Sequence, residues 1–201
     1  MVGVGYPHAD APDDYFRETF TRRDHDLTPT VDASVEAEMT AQHGVPVPNG
    51  DAPRFLAFIQ QELVPFIEST YRADPARRVL AGHSYGGLFG AYALFAAPGF
   101  FQTSIIGSPY LAYDDRVLFK QEAAFAASGT VLPATVYLYA ADEELVAMND
   151  TTLTDTLKFA ALLEHRQYEG LKLHKLVFME YNHCEVAAPG LHWGLMGALR
   201  V

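Results

Sequence analysis

The sequence predicts an α/β domain, a mostly parallel sheet with helices on both faces. Three observations carry that prediction. From residue 51 onward, short apolar runs rich in strand formers alternate with segments of helical periodicity. One run, RRVLAG, passes through G-H-S-Y-G into GGLFGAYALFAA, so that a serine stands between a strand and a helix. Two later strands, TVYLYAAD and LKLHKLVFME, are followed first by acidic residues and then by a histidine.

The elements follow in order. Val2–Gly5 is a short apolar run closed by Tyr6-Pro7 and reads as a buried strand. Residues 8 to 50 are rich in Asp, Thr, Pro and Gly and show no sustained periodicity, which reads as a long functional or disordered connection. From 51, Phe55, Phe58, Ile59, Leu63, Phe66 and Ile67 make a helical stripe, with Asp51 as N-cap, Pro53 in the first turn and a bend at Pro65. Strands are expected at RRVLAG, QTSIIGS, residues 135–142 and residues 171–180; helices follow the serine and occupy residues 114–127, 151–166 and about 190–200.

The chain has 201 residues, 49% of them hydrophobic and 19% charged, which suits a single domain spanning 1–201 with a core of its own. A net charge of −11 argues against nucleic acid as a partner. The one cysteine, Cys184, has no internal disulfide partner. No stretch approaches the run of about 18 apolar residues that spans a membrane, and the N-terminus is too acidic for a secretory signal. The expectation is a soluble, cytoplasmic protein without repeats or linkers.

G-H-S-Y-G fits G-x-S-x-G, in which a sharp strand-to-helix turn lifts the serine oxygen clear of the backbone. The turn is tight enough that positions two residues away must lack side chains, hence Gly82 and Gly86 around Ser84. A serine hydroxyl is a weak nucleophile, so it needs a base, and the base needs an orienting acid. His165 falls in an amphipathic helix, His174 inside a strand and His192 beside Trp193 on the last helix, all structural settings. His183 follows a strand at its C-terminal end, the edge where open α/β sheets bind ligands, and is the expected base. Asp142, Glu143 and Glu144 all follow the preceding strand at that edge; spacing alone leaves the acid open.

The segments VGVGYP, TRRDHDLTPT, FLAFIQQELVPFIESTYRADPARRVLAGHSYGGLFGAYALF, SPYLAYDD and the late NH resemble the Putative esterase family of α/β-hydrolases over essentially the whole chain. That family includes enterobactin and salmochelin esterases, S-formylglutathione hydrolase and feruloyl esterases, and the siderophore-esterase branch is the most similar. The resemblance implies a serine carboxylic-ester hydrolase with Ser84 as nucleophile and His183 as base. It makes Glu144 the acid, with Ala141 in place of the family's glycine and Asp142 in reserve. The Tyr85 N–H is the implied oxyanion donor. No cofactor is implied, and the partner is a small-molecule ester. Acyl transfer to an alcohol on the same site is the catalytic alternative; an inactive hydrolase remnant that binds a ligand or partner is the alternative from another class.

In that family a second oxyanion donor follows an apolar strand upstream of the VGVGYP-like one, so the chain is expected to be N-terminally truncated, without the first strands. An exposed sheet edge then suggests a homodimer. Arg22 and Arg23 are weighed as holders of an anionic substrate group against pairing with Asp24 or Asp26, with Arg23 carried as the binding candidate. Tyr110 and Tyr113 follow a strand end and are weighed as an aromatic wall against core packing. Cys184 reads as an incidental thiol, and His8, His25 and His43 have no metal spacing, so no metal is expected.

Overall fold

A computed structural model describes residues 1–6, 12–129, 131–144 and 151–200. Four parallel strands lie in the order β1 (Val79–His83), β2 (Thr103–Gly107), β3 (Thr135–Glu143) and β4 (Lys172–Asn182). Val79, Thr103, Thr135 and Lys172 share one register row, so the strands start level and their C-terminal ends form one edge. That edge is where loops can converge on a ligand.

Alternation along the strands divides the core between two faces. Ile106, Val136 and Leu138 point to one face, where they pack with Leu88 and Leu94 of α5 (Tyr85–Ala96), Leu118 of α6 (Tyr113–Ser128) and Phe159 and Leu163 of α7 (Thr152–Arg166). Ile105, Tyr137, Tyr139 and Ala141 point to the other, under α8 (Ala187–Leu199). There α8 lies close to the sheet, because a Cβ on Gly190, Gly194 or Gly197 would strike Tyr139, Ile105 or Tyr137. Helices therefore cover both faces, as the sequence predicts.

The N-terminal part departs from expectation. Residues 1–6 form no strand, and Val2 and Val4 are about half exposed (51% and 50%). A V-G-V-G run has two glycines that weaken a strand and only two side chains to bury. The stretch read as a long connection instead holds α1 (Pro12–Leu27) and α2 (Ala33–His43), while His8 lies outside the described residues. Neither helix has a sustained apolar stripe; caps define α2. The Asp32 carboxylate accepts from the Ser34 and Val35 N–H groups (2.9 and 3.2 Å), and Gly44 closes the helix at φ 68°. Asn49 clasps the backbone of Asp32 in both directions at 2.9 Å.

The helix expected from residue 51 is α3 (Ala52–Phe58), a π-helical turn (Ile59–Leu63) and α4 (Val64–Thr70). Pro65 has no N–H to give to the turn before it, and the wider π turn absorbs the break. Its phase change alters the buried stripe. Ala52, Leu56 and Ile59 pack on Phe89 and Ala93 of α5, whereas Phe58 and Phe66 face outward. Asp51 stands before α3 but makes no side-chain cap.

Glu122 is fully buried in α6 and receives Arg166 in two hydrogen bonds (2.8 and 3.0 Å) and the Tyr168 hydroxyl at 2.5 Å. Removing one partner of such a pair strands the other charge in the interior. Arg166→Met is expected to lower the urea midpoint, and Glu122→Leu in the same chain is expected to restore part of the loss. An unchanged midpoint in Arg166→Met would mean that the pair contributes no more than a surface ion pair.

Candidate active site

Ser84 occupies the turn between β1 and α5 at φ 61°, ψ −121°, a region that non-glycine residues rarely enter. Its neighbours over-determine that conformation. The Ser84 N–H donates to the Gly107 carbonyl at 2.9 Å, extending the β1–β2 ladder by one bond, while its carbonyl accepts from Leu88 N–H at 2.9 Å and opens α5. Gly82 runs so close to the Gly86 carbonyl that a Cβ there would overlap it. The Tyr85 N–H is in the first turn of α5, where helix N–H groups have no partner within the helix.

His183 begins the turn after β4. β3 and β4 pair regularly through Ala141↔Phe178, then slip to Glu143↔Asn182, with Glu180 at φ 65° in the bulge. Bulges re-aim side chains beside active sites, and here the chain comes out of one with His183 directed to the end of β3. Asn182 stiffens the turn by accepting the N–H groups of Cys184 and Glu185, both at 3.0 Å.

The structure brings His183 to one of the three acidic candidates. Glu144 Oε2 lies 2.6 Å from His183 Nδ1, and both side chains are largely buried. The other oxygen, Oε1, accepts from Ser108 Oγ (2.7 Å) and the Ala141 N–H (2.9 Å). Burial disfavours the charge on Glu144, yet the bonds from His183, Ala141 and Ser108 outweigh it and hold the carboxyl below its usual range. Asp142 is used elsewhere, as acceptor of the Tyr181 N–H at 3.4 Å. Glu143 is exposed.

Two further groups complete this edge and were not singled out by sequence. Ser108 follows β2 directly and donates its hydroxyl to Glu144; its place just past a strand's C-terminal end was the available signal. His83, one residue before Ser84, places its ring 4.7 Å from that of His183 (centroid to centroid). This contact links the serine turn to the histidine turn. Ser84 and His183 share no hydrogen bond in this structure; such bonds often close only around a bound substrate.

Tyr85 has the edges of Tyr110 (5.7 Å) and Tyr113 (6.2 Å) against it. Tyr113 is only 1% exposed and donates its hydroxyl to the Thr30 carbonyl, so it is packed into the core rather than presented to a ligand. Arg23 lies over the Phe20 ring at 5.7 Å, close enough to bias the protonation of Asp24, Tyr85 and His83. His25 has one carboxylate at each ring nitrogen, Asp26 at 2.8 Å and Asp51 at 3.6 Å. Cys184 is exposed. No helix among the described residues is long and apolar enough to cross a membrane.

The sequence profile of the Putative esterase family matches residues 26–182, most of the chain. The chain belongs to this family. The siderophore enterobactin esterase of Emericella nidulans is 34% identical over 135 residues, which cover 66% of this chain and 42% of that protein. The ferri-bacillibactin esterase of Bacillus subtilis is 33% identical over 123 residues, 60% and 39% of the two chains. The chain thus spans about two fifths of the length of these curated relatives. In fold, the esterase-family chain resembles the siderophore hydrolase EstA from Aspergillus nidulans, with a TM-score of 0.78 at 24% identity over 96% of this chain and 68% of that one.

Asp24 lies beside this site with both carboxylate oxygens buried and without a hydrogen-bond partner. Burial raises its pKa from 3.8 to about 6, against the opposing pull of Arg23. A raised carboxyl means that the folded state holds its proton longer than the unfolded chain does. Asp24 therefore costs nothing below pH 4, and its cost grows through pH 4–6 and is complete above that window. Asp24→Asn is expected to stabilise the protein by on the order of 1–2 kcal/mol at pH 7.5 and not at pH 4, measured by urea denaturation. Equal stabilisation at both values would contradict this assignment.

Proposed function

We propose that this chain hydrolyses carboxylic esters through an acyl-enzyme on Ser84, with His183 as general base and Glu144 as the group that orients it. The observation that carries this reading is the His183–Glu144 bond of 2.6 Å at the same sheet edge as a serine held at φ 61°. Membership of an esterase family and likeness to relatives named as siderophore esterases support it.

In the first step Ser84 Oγ attacks the ester carbonyl carbon while His183 Nε2 accepts the hydroxyl proton. Glu144, ionised and already bonded at Nδ1, stabilises the imidazolium that forms. The Tyr85 N–H, at the positive end of α5, stabilises the tetrahedral oxyanion. Collapse breaks the carbon–alkoxide bond, and His183 returns the proton to the departing alcohol. Water, deprotonated by the same imidazole, then releases the acid and restores Ser84.

For substrate, the reading extends the relatives' printed names to this chain: an ester bond of a siderophore, with its acyl side against Tyr85 and Tyr110 and any anionic group near Arg23. A free alcohol in place of water would give acyl transfer from the same intermediate.

With p-nitrophenyl butyrate, Ser84→Ala is expected to lower kcat at least about a thousandfold. Glu144→Gln is expected to lower it by about 10²–10⁴, and Asp142→Asn to change it less than about threefold. Full activity in Ser84→Ala would overturn the reading. A larger loss from Asp142→Asn than from Glu144→Gln would reassign the acid.

A further inference from the structure

His83 is a titratable side chain at this edge that the reaction above does not use. It shares a register row with Gly107 of β2 and Tyr139 of β3. Because Gly107 has no side chain, the Tyr139 ring lies across β2, filling the space that a Cβ on Gly107 would take. Its hydroxyl then reaches two strands over, to His83 Nδ1 at 3.3 Å, and lies 3.4 Å from the Ala187 carbonyl at the start of α8. Gly190 of α8 closes on the other side of the same ring. Tyr139 is thereby fixed by β2 and α8, and in turn fixes His83, whose ring lies 6.0 Å away and is tilted from it by only 17°.

His83 also meets His183, ring to ring at 4.7 Å and 45°. Burial and the neighbouring His183 push the pKa of His83 down to about 4, so it stays neutral through the physiological range and sets no charge against an imidazolium on His183. One of its atoms, Nε2, is buried and makes no well-formed hydrogen bond, and the His183 backbone lies close enough to the ring only to favour its charged form weakly against burial. A phenylalanine would fill the same space without that cost, so packing alone does not account for an imidazole here.

We propose that His83 is a positioning residue: Tyr139 locks its imidazole in place, and the locked ring braces that of His183. The inference rests on the reading of His183 as the base. The brace complements the bond to Glu144, which fixes one ring nitrogen but leaves the imidazole free to swing about that contact. With His83 packed on it, the His183 ring has less room to swing, because its neighbour is itself held through Tyr139 by β2 and α8.

The test compares His83→Phe, Tyr139→Phe and the double variant with wild type and Ser84→Ala, using p-nitrophenyl butyrate and thermal melts. His83→Phe keeps a ring and loses the link; it is expected to melt at or above the wild-type temperature while kcat falls about five- to tenfold at a KM within twofold. Tyr139→Phe is expected to show a similar fall, and the double variant no more than the larger single effect, because both remove the same link. Wild-type kcat in a folded His83→Phe, or multiplying losses in the double variant, would overturn the brace. If Ser84→Ala were itself active, the underlying mechanism would be the part that failed.

Discussion

The close approach of Gly82 to the Gly86 carbonyl is the constraint on which the rest depends. It lets β1 reverse into α5 within one residue, and that residue, Ser84, is left at φ 61° with its N–H still bonded to β2 and its carbonyl already opening the helix. The turn is thus stabilised from both sides by regular structure, which is how a strained conformation persists. The same turn decides where everything else must go. It faces the C-terminal edge of a parallel sheet, and the following strands deliver Ser108, Glu144 and His183 to that edge.

Delivery is not uniform along the edge. Glu144 follows β3 directly and is held by three donors from three different places, the His183 ring, the Ala141 backbone and the Ser108 hydroxyl. His183 requires more, because a regular strand would carry it past the site. The bulge at Glu180 and the Asn182-capped turn make that adjustment. Beside Tyr85, Asp24 is buried with no donor to its carboxylate, an expensive arrangement of the kind that functional edges tolerate and cores do not.

The sheet was legible because each of its strands is a bounded run of strand formers, and helices on both faces followed from their alternation. The places of Ser84, His183 and Glu144 at the C-terminal edge of the sheet could be read from spacing, chain order and family resemblance, since these depend on sequence neighbours and strand ends. Three features lay outside such signals. The helices at Pro12–Leu27 and Ala33–His43 are set by caps and by ties such as Asn49–Asp32, which leave no apolar period. The stripe on α3 was displaced by the π turn before Pro65, a change of phase that no fixed helical period anticipates. His83 looked like the free position of a motif, and its contact with His183 exists only because Gly107 leaves room for Tyr139.

The central claim is that Ser84 is the atom acylated, activated by His183. Its most direct test is intact and peptide mass spectrometry after brief exposure to a fluorophosphonate, on the wild-type chain and on His183→Ala. The account predicts one adduct, on the peptide that contains Ser84, forming at least about a hundredfold more slowly without His183. An adduct on Cys184 or another residue, or one on Ser84 whose rate is indifferent to His183, would contradict it.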